Sequence, residues 1–226
     1  KNTGEASLGA GYSSATSTSL NLGLKETNFL GKGQKVDFFS SFSNTRNNYD
    51  LSITEPYFNN KKLSLTGGLY SSFTDPASVN YETEDLGLAF KAQFPIAQKI
   101  YFETRYSLST VKVKADSNAT IYERLLAGTD TNSMIGYTLN FDNRNSPYKP
   151  SSGFRFLIDQ DIAGLGGTSY YIKNRLSYNV YKRLNNKLVG AFKLQAGNSN
   201  GYNGKYAPLS SNYKLGGKRL RGFKSG

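Results

Sequence analysis

Hydrophobic and polar residues alternate with a period of two along most of the chain, in blocks separated by short runs of Gly, Asn, Pro and Ser. That period places successive side chains on opposite faces of an extended strand. In the first block, over 5–12, Ala6, Leu8, Ala10 and Tyr12 share one face, and Glu5, Ser7, Gly9 and Gly11 share the other. The same rule predicts ten further strands. Leu20, Leu22 and Leu24 mark the second, Val36, Phe38 and Phe42 the third, and Tyr49, Leu51 and Ile53 the fourth. The fifth runs over 63–73. The sixth, over 85–94, is expected to stop at Pro95, because proline cannot donate to a ladder. The remaining five are centred on Phe102 to Leu108, Ile135 to Phe141, Phe154 to Ile158, Tyr170 to Val180 and Leu188 to Ala196. Between them the pattern predicts a polar turn over 44–48 and a long loop over 110–132. Within that loop, residues 121–126 fit either a helical turn or an extra β piece. A long basic loop is predicted from 198 onward.

Strands of about 8 to 12 residues match the roughly 9 to 11 that a tilted transmembrane strand needs, and a soluble sandwich uses shorter ones. Lys91, Arg105, Lys173 and Arg175 stand mid-strand on the polar faces, where a wet lumen accommodates them. A sheet at bilayer depth has to close, because every backbone polar group must be paired within the protein. Phe29, Tyr57, Phe58, Phe94, Tyr148 and Tyr181, near strand ends, suit interfacial aromatic girdles. The expected fold class is therefore all-β, a transmembrane antiparallel β-barrel. Bacterial single-chain barrels have even strand numbers, so eleven strands over 1–226 imply a partial barrel domain.

Composition narrows the chemistry. The 226 residues include 17 Tyr, 14 Phe and 23 Gly, one Met, and no Cys, Trp or His. No apolar run approaches the roughly 18 residues of a membrane helix. Without cysteine or histidine there are no disulfides, no thiolate metal sites and no imidazole base, so no enzyme activity, metal or cofactor is expected. The net charge of +12 suits nucleic acid or anionic lipid as well as solvated turns and a polar lumen, and the last reading is preferred, with no nucleic-acid partner. No signal peptide precedes Lys1, which fits a mature chain, a cytosolic one, or a piece of a longer one. Residues 198–226 carry six cations and no acid. A loop of that length is usually functional or disordered, and Arg221 offers a planar five-donor fork for a carboxylate.

Four stretches resemble the BamA-type outer-membrane assembly factors: Asn2-Thr-Gly4 before a glycine-rich first strand, Asn28-Phe-Leu-Gly-Lys-Gly33, Glu55-Pro-Tyr-Phe58, and Gly216-Gly-Lys-Arg-Leu-Arg-Gly-Phe223. The last resembles the Arg-Gly-Phe/Tyr motif of the family's sixth extracellular loop, although Leu220 replaces the expected β-branched residue. The resemblance implies a sixteen-stranded barrel in the bacterial outer membrane, preceded by periplasmic POTRA domains and completed by strands outside this sequence. It implies that the loop over 198–226 inserts into the lumen, with Arg221, Gly222 and Phe223 at its tip behind Gly216 and Gly217. It also implies a lateral seam at Leu8, Gly9, Ala10, Gly11 and Tyr12. Unfolded outer-membrane protein precursors, Bam-type lipoproteins, outer-membrane lipids and lipopolysaccharide are the implied partners. A TamA-like or two-partner-secretion transporter shares the motif, and a porin-type channel or a soluble β-sandwich binding module are the alternatives from other classes.

Overall fold

The computed structural model describes residues 3–13, 17–75 and 79–213. They form one eleven-stranded antiparallel sheet in which every strand pairs with its neighbour in sequence. The strands are β1 (Gly4–Ser13), β2 (Ser17–Phe29), β3 (Gln34–Ser43), β4 (Arg46–Glu55), β5 (Ser64–Thr74), β6 (Tyr81–Ala97), β7 (Ile100–Ala115), β8 (Gly128–Asp142), β9 (Gly153–Ala163), β10 (Tyr171–Arg183) and β11 (Val189–Gly201). Among the described residues no helix is long and apolar enough to cross a membrane. Among the described residues β1 and β11 do not pair, so the sheet has two open edges.

Across the middle of the sheet, register keeps the apolar positions on one surface. Leu24 pairs with Phe38, Phe38 with Leu51, Leu51 with Leu69, Leu69 with Leu88, and Leu88 with Leu108. Ile135, Ile162 and Ile172 continue the outer face across β8 to β10. A slip of one residue at any ladder would turn that strand's apolar set inward. On β6 the apolar outer positions run from Leu86 to Ile96, with Glu84 and Glu82 beyond them on the same face. Eleven residues at about 3.3 Å each, tilted by about 40–45°, give a band of roughly 25 Å, the height of an outer-membrane barrel's apolar belt.

Four sequence expectations change. The turn after β3 shortens to 44–45, because β4 already begins at Arg46. Pro95 does not end β6; it pairs with Tyr101, and the register shifts between Pro95 and Ala97, the bulge absorbing the missing donor. The predicted loop over 110–132 is mostly strand: β7 runs to Ala115, β8 starts at Gly128, and only 116–127 connect them. Within that connection Ile121–Leu125 is a helical turn, α1. Thr120 caps it, accepting from Glu123 N while the Glu123 side chain accepts from Thr120 N. Finally, β11 extends to Gly201, and within the stretch that follows, residues 207–209 and 211 are buried rather than structureless.

Candidate functional site

The inner face is polar at mid-wall and apolar near the rim that carries α1. At mid-wall, register brings Arg105 beside Gly136, Gly136 beside Asp161 and Asp161 beside Lys173, while Thr138, Asp159 and Arg175 form the next row. Arg105 spans both rows. Its Nε donates to Asp161 Oδ1 at 2.8 Å, its Nη2 to Asp159 Oδ1 at 2.6 Å, and its Nη1 to Thr138 Oγ1 at 2.7 Å. Arg175 Nη2 binds the other oxygen of Asp159 at 2.9 Å, and Glu103 stands 3.8 Å from Arg105. Charge-assisted contacts of this kind are among the stronger protein hydrogen bonds. Gly136 makes the fork possible: a Cβ there would stand 2.8 Å from Gln160 O and 2.9 Å from Arg105 Nε, and would collide with Asp161.

Residues 202–213 cross the mouth of the lumen and return. Leu209 is buried against Tyr81, Val111 and Val113, with Val79 and Leu126 alongside. Ala207 is buried against Ala163 and Tyr171, next to Met134. Ser211 and Ser199 share a hydrogen bond of 2.8 Å, and Tyr213 OH donates to Asn174 O at 2.8 Å under the Lys173 ammonium. Burial of these apolar groups holds the segment across the mouth. The motif residues Gly216, Gly217, Arg221, Gly222 and Phe223 lie outside the described residues.

The first-strand positions are described. Leu8 pairs with Leu22, Gly9 with Asn21, Ala10 with Leu20, Gly11 with Ser19 and Tyr12 with Thr18. Among the described residues β1 pairs only with β2, as β11 pairs only with β10; Leu8 and Tyr12 are 82% and 81% exposed, and no described residue lies within 4 Å of where a Gly9 Cβ would stand. An exposed, sparsely packed strand edge is a template for another strand. Arg105 and Arg175 were visible in the sequence as charged inner positions, but their carboxylate partners were not. Asp159 and Asp161, two residues apart on one strand, were the available sign.

An inner wall of paired charges, an apolar belt outside and a segment folded across one mouth define a partial transmembrane β-barrel. The chain belongs to the Omp85 superfamily, whose domain model matches residues 28–226. The mouse sorting and assembly machinery component 50 homolog is 26% identical over 212 residues, which cover 91% of this chain and 44% of that protein. The outer membrane protein assembly factor BamA of Nitratidesulfovibrio vulgaris is 26% identical over 235 residues, covering 100% of this chain and 29% of its own length. The crystal structure of BamA from Haemophilus ducreyi lacking POTRA domains 1–3 has the same fold, with a TM-score of 0.90 at 24% identity over 100% of this chain and 47% of that one. CdiB from Acinetobacter baumannii superposes less well, with a TM-score of 0.56 at 14% identity. The chain thus spans less than half the length of these relatives.

Proposed function

We propose that this chain is the barrel portion of a bacterial outer-membrane protein assembly factor, which folds and inserts β-barrel precursors at the edge of its first strand. The single observation that carries the reading is the make-up of the edge strand β1, in which Gly9 and Gly11 take alternate inner positions and, among the described residues, nothing lies within 4 Å of where a Gly9 Cβ would stand. An incoming strand adds to such an edge through main-chain hydrogen bonds, which supply affinity with little demand on sequence. The names of the relatives, an outer membrane protein assembly factor and a sorting and assembly machinery component, support this reading. No covalent chemistry is required, and the protein is not an enzyme. Its partners are unfolded precursors, outer-membrane lipids and lipopolysaccharide, and Bam-type lipoproteins. For Arg221, Gly222 and Phe223, behind Gly216 and Gly217, the proposed role is the loop-anchoring one that the family resemblance implies.

The test uses the full-length protein. This stretch contains no cysteine, so Leu8→Cys or Ala10→Cys offers one reactive thiol within it. During insertion of a precursor carrying a cysteine in its last strand, disulfide crosslinks are expected at these positions and not at Leu69→Cys, in mid-sheet. Equal crosslinking at all three overturns the reading. Replacing Gly9 and Gly11 together by valine favours strand pairing at β1 and is expected to slow insertion several-fold while leaving the barrel folded.

A further inference from the structure

The turns on one rim of the sheet are uniformly basic. The turns on the rim where the chain begins are 30–33, 56–63, 98–99, 143–152 and 184–188. Each carries lysine (Lys32; Lys61 and Lys62; Lys99; Lys149; Lys187), and none carries aspartate or glutamate. The opposite rim mixes the signs: the connections 14–16, 44–45, 75–80, 116–127 and 164–170 hold Asp75, Asp116, Glu123 and Arg124 and no lysine, while the stretch that follows β11 there carries Lys205 and five further cations.

One lysine turn adjoins an opening in the apolar belt. A groove of about 800 Å³ runs over the outer face between β4 and β8, lined by Leu51, Ile53, Leu69, Phe90 and Tyr106. Its floor is Gly67, where a Cβ would stand 3.4 Å from the Phe90 ring. A second cavity, of about 680 Å³, lies at the rim between Tyr57, Lys62, Phe94, Ile96 and Lys99. Leu65 and Ala92 pair on the outer face at the rim end of the groove, and the next pair, Ser64 and Gln93, lines the second cavity from the inner face. Lys61 and Lys62 are exposed, and neither side chain has an ion pair or hydrogen bond among the described residues. Glu55, the nearest acid in the chain, already accepts from Gln34 Nε2 and Tyr57 N.

We propose that this rim binds an anionic glycerophospholipid of the leaflet it faces, with an acyl chain along the Gly67 groove and the phosphate held by Lys61 and Lys62. The groove lies within the apolar belt, where hydrocarbon is the neighbour, and its rim end, at Ile53 and Leu65, lies on the two strands that the turn carrying Lys61 and Lys62 connects. Tyr57 and Phe58, both exposed, stand between belt and water, where aromatic side chains anchor a barrel. Lysines on all five turns match a charged planar surface better than the compact patch of a single acidic protein. Near a membrane each lysine contributes roughly a fivefold gain in binding, diminished by salt. The proposal requires membrane placement of the barrel but not its role in assembly.

The experiment titrates the full-length protein in zwitterionic micelles with phosphatidylglycerol and, separately, phosphatidylcholine, and counts bound lipid by native mass spectrometry. Folding of every variant is verified by heat-modifiable electrophoretic mobility. Phosphatidylglycerol is expected to be retained preferentially. Lys61→Gln with Lys62→Gln should weaken its retention by roughly tenfold or more without affecting phosphatidylcholine, whereas Gly67→Leu should reduce retention of both. Lys182→Gln with Lys187→Gln, remote from the groove, should have a smaller effect. Equal retention of the two lipids by the unaltered protein, or no loss in folded Lys61/Lys62 and Gly67 variants, overturns the proposal. Failure of the β1 crosslinking experiment would leave this result intact.

Discussion

Arg105 illustrates how a single side chain couples distant parts of the chain: it binds residues 33, 54 and 56 positions away. Arg105→Ala leaves Asp159 and Asp161 without their main counter-charge. All three groups are partly exposed, so the expected loss is about 2 kcal/mol rather than the ~3–5 kcal/mol of a fully buried pair. The shift of the urea midpoint of the full-length protein in micelles measures it, and Arg105→Lys should recover only part. Gly136→Ala should cost a similar amount, about 1–3 kcal/mol, by overpacking against Asp161, and should not add fully to Arg105→Ala because the two disturb one contact. The charged positions themselves were legible from alternation. Their pairing was not, since it depends on the registers of three consecutive ladders, which no local pattern encodes.

Element boundaries were legible wherever the apolar set faces lipid, and became illegible where it does not. On β7, Phe102, Tyr106 and Leu108 face outward, but beyond Thr110 the phase inverts: Lys112 and Lys114 face out while Val111 and Val113 are buried inside with Leu209. A reading that expects outward hydrophobics ends the strand there. The physical reason is that the strand leaves the bilayer while its inner surface acquires a cover. Leu176 and Arg175, adjacent on β10, provide a direct check. A spin label at Leu176 should be accessible to oxygen in lipid, and one at Arg175 to a water-soluble relaxant; identical accessibilities would refute the assignment of faces. For α1, Thr120 and Glu123 form a capping box, a sequence signature that favours the helical turn over a β piece. Hydrogen bonds from the Thr120 backbone and hydroxyl hold the Glu123 carboxyl below its usual range. A lowered folded-state pKa means that this contribution is present above the unfolded value and lost as pH falls through the folded one. Amide protection across 121–126, corrected for intrinsic exchange, should therefore decline on acidification below the ordinary glutamate range, and Thr120→Ala should lower it by roughly fivefold at neutral pH.

At the scale of the whole molecule, the all-β barrel class, the strand count and the common outer face were evident from sequence. The packing of 202–213 was not, because a segment whose anchors are Ala207, Leu209 and Ser211 carries no periodicity. That segment restricts the mouth, so the full-length protein in a planar bilayer is expected to pass little current. Leu209→Asp, which puts a charge into the Tyr81, Val111 and Val113 cluster, should produce frequent large openings in a barrel that remains folded; an unchanged trace would show that the segment does not close the mouth. The distribution of charge among the connections has a directional consequence. A barrel entering a bilayer from one side must drag one set of connections through the oil, and the cost rises with each unneutralised charge. On the rim opposite the chain start the connections 14–16, 44–45 and 164–170 carry no charge, whereas the stretch after β11 carries Lys205 and five further cations. Lys114, near that rim, travels largely neutralised, 2.6 Å from Glu82 and 2.9 Å from Glu84. The strands joined by the uncharged connections thus cross most cheaply, and the stretch after β11 is the costly part of the cargo.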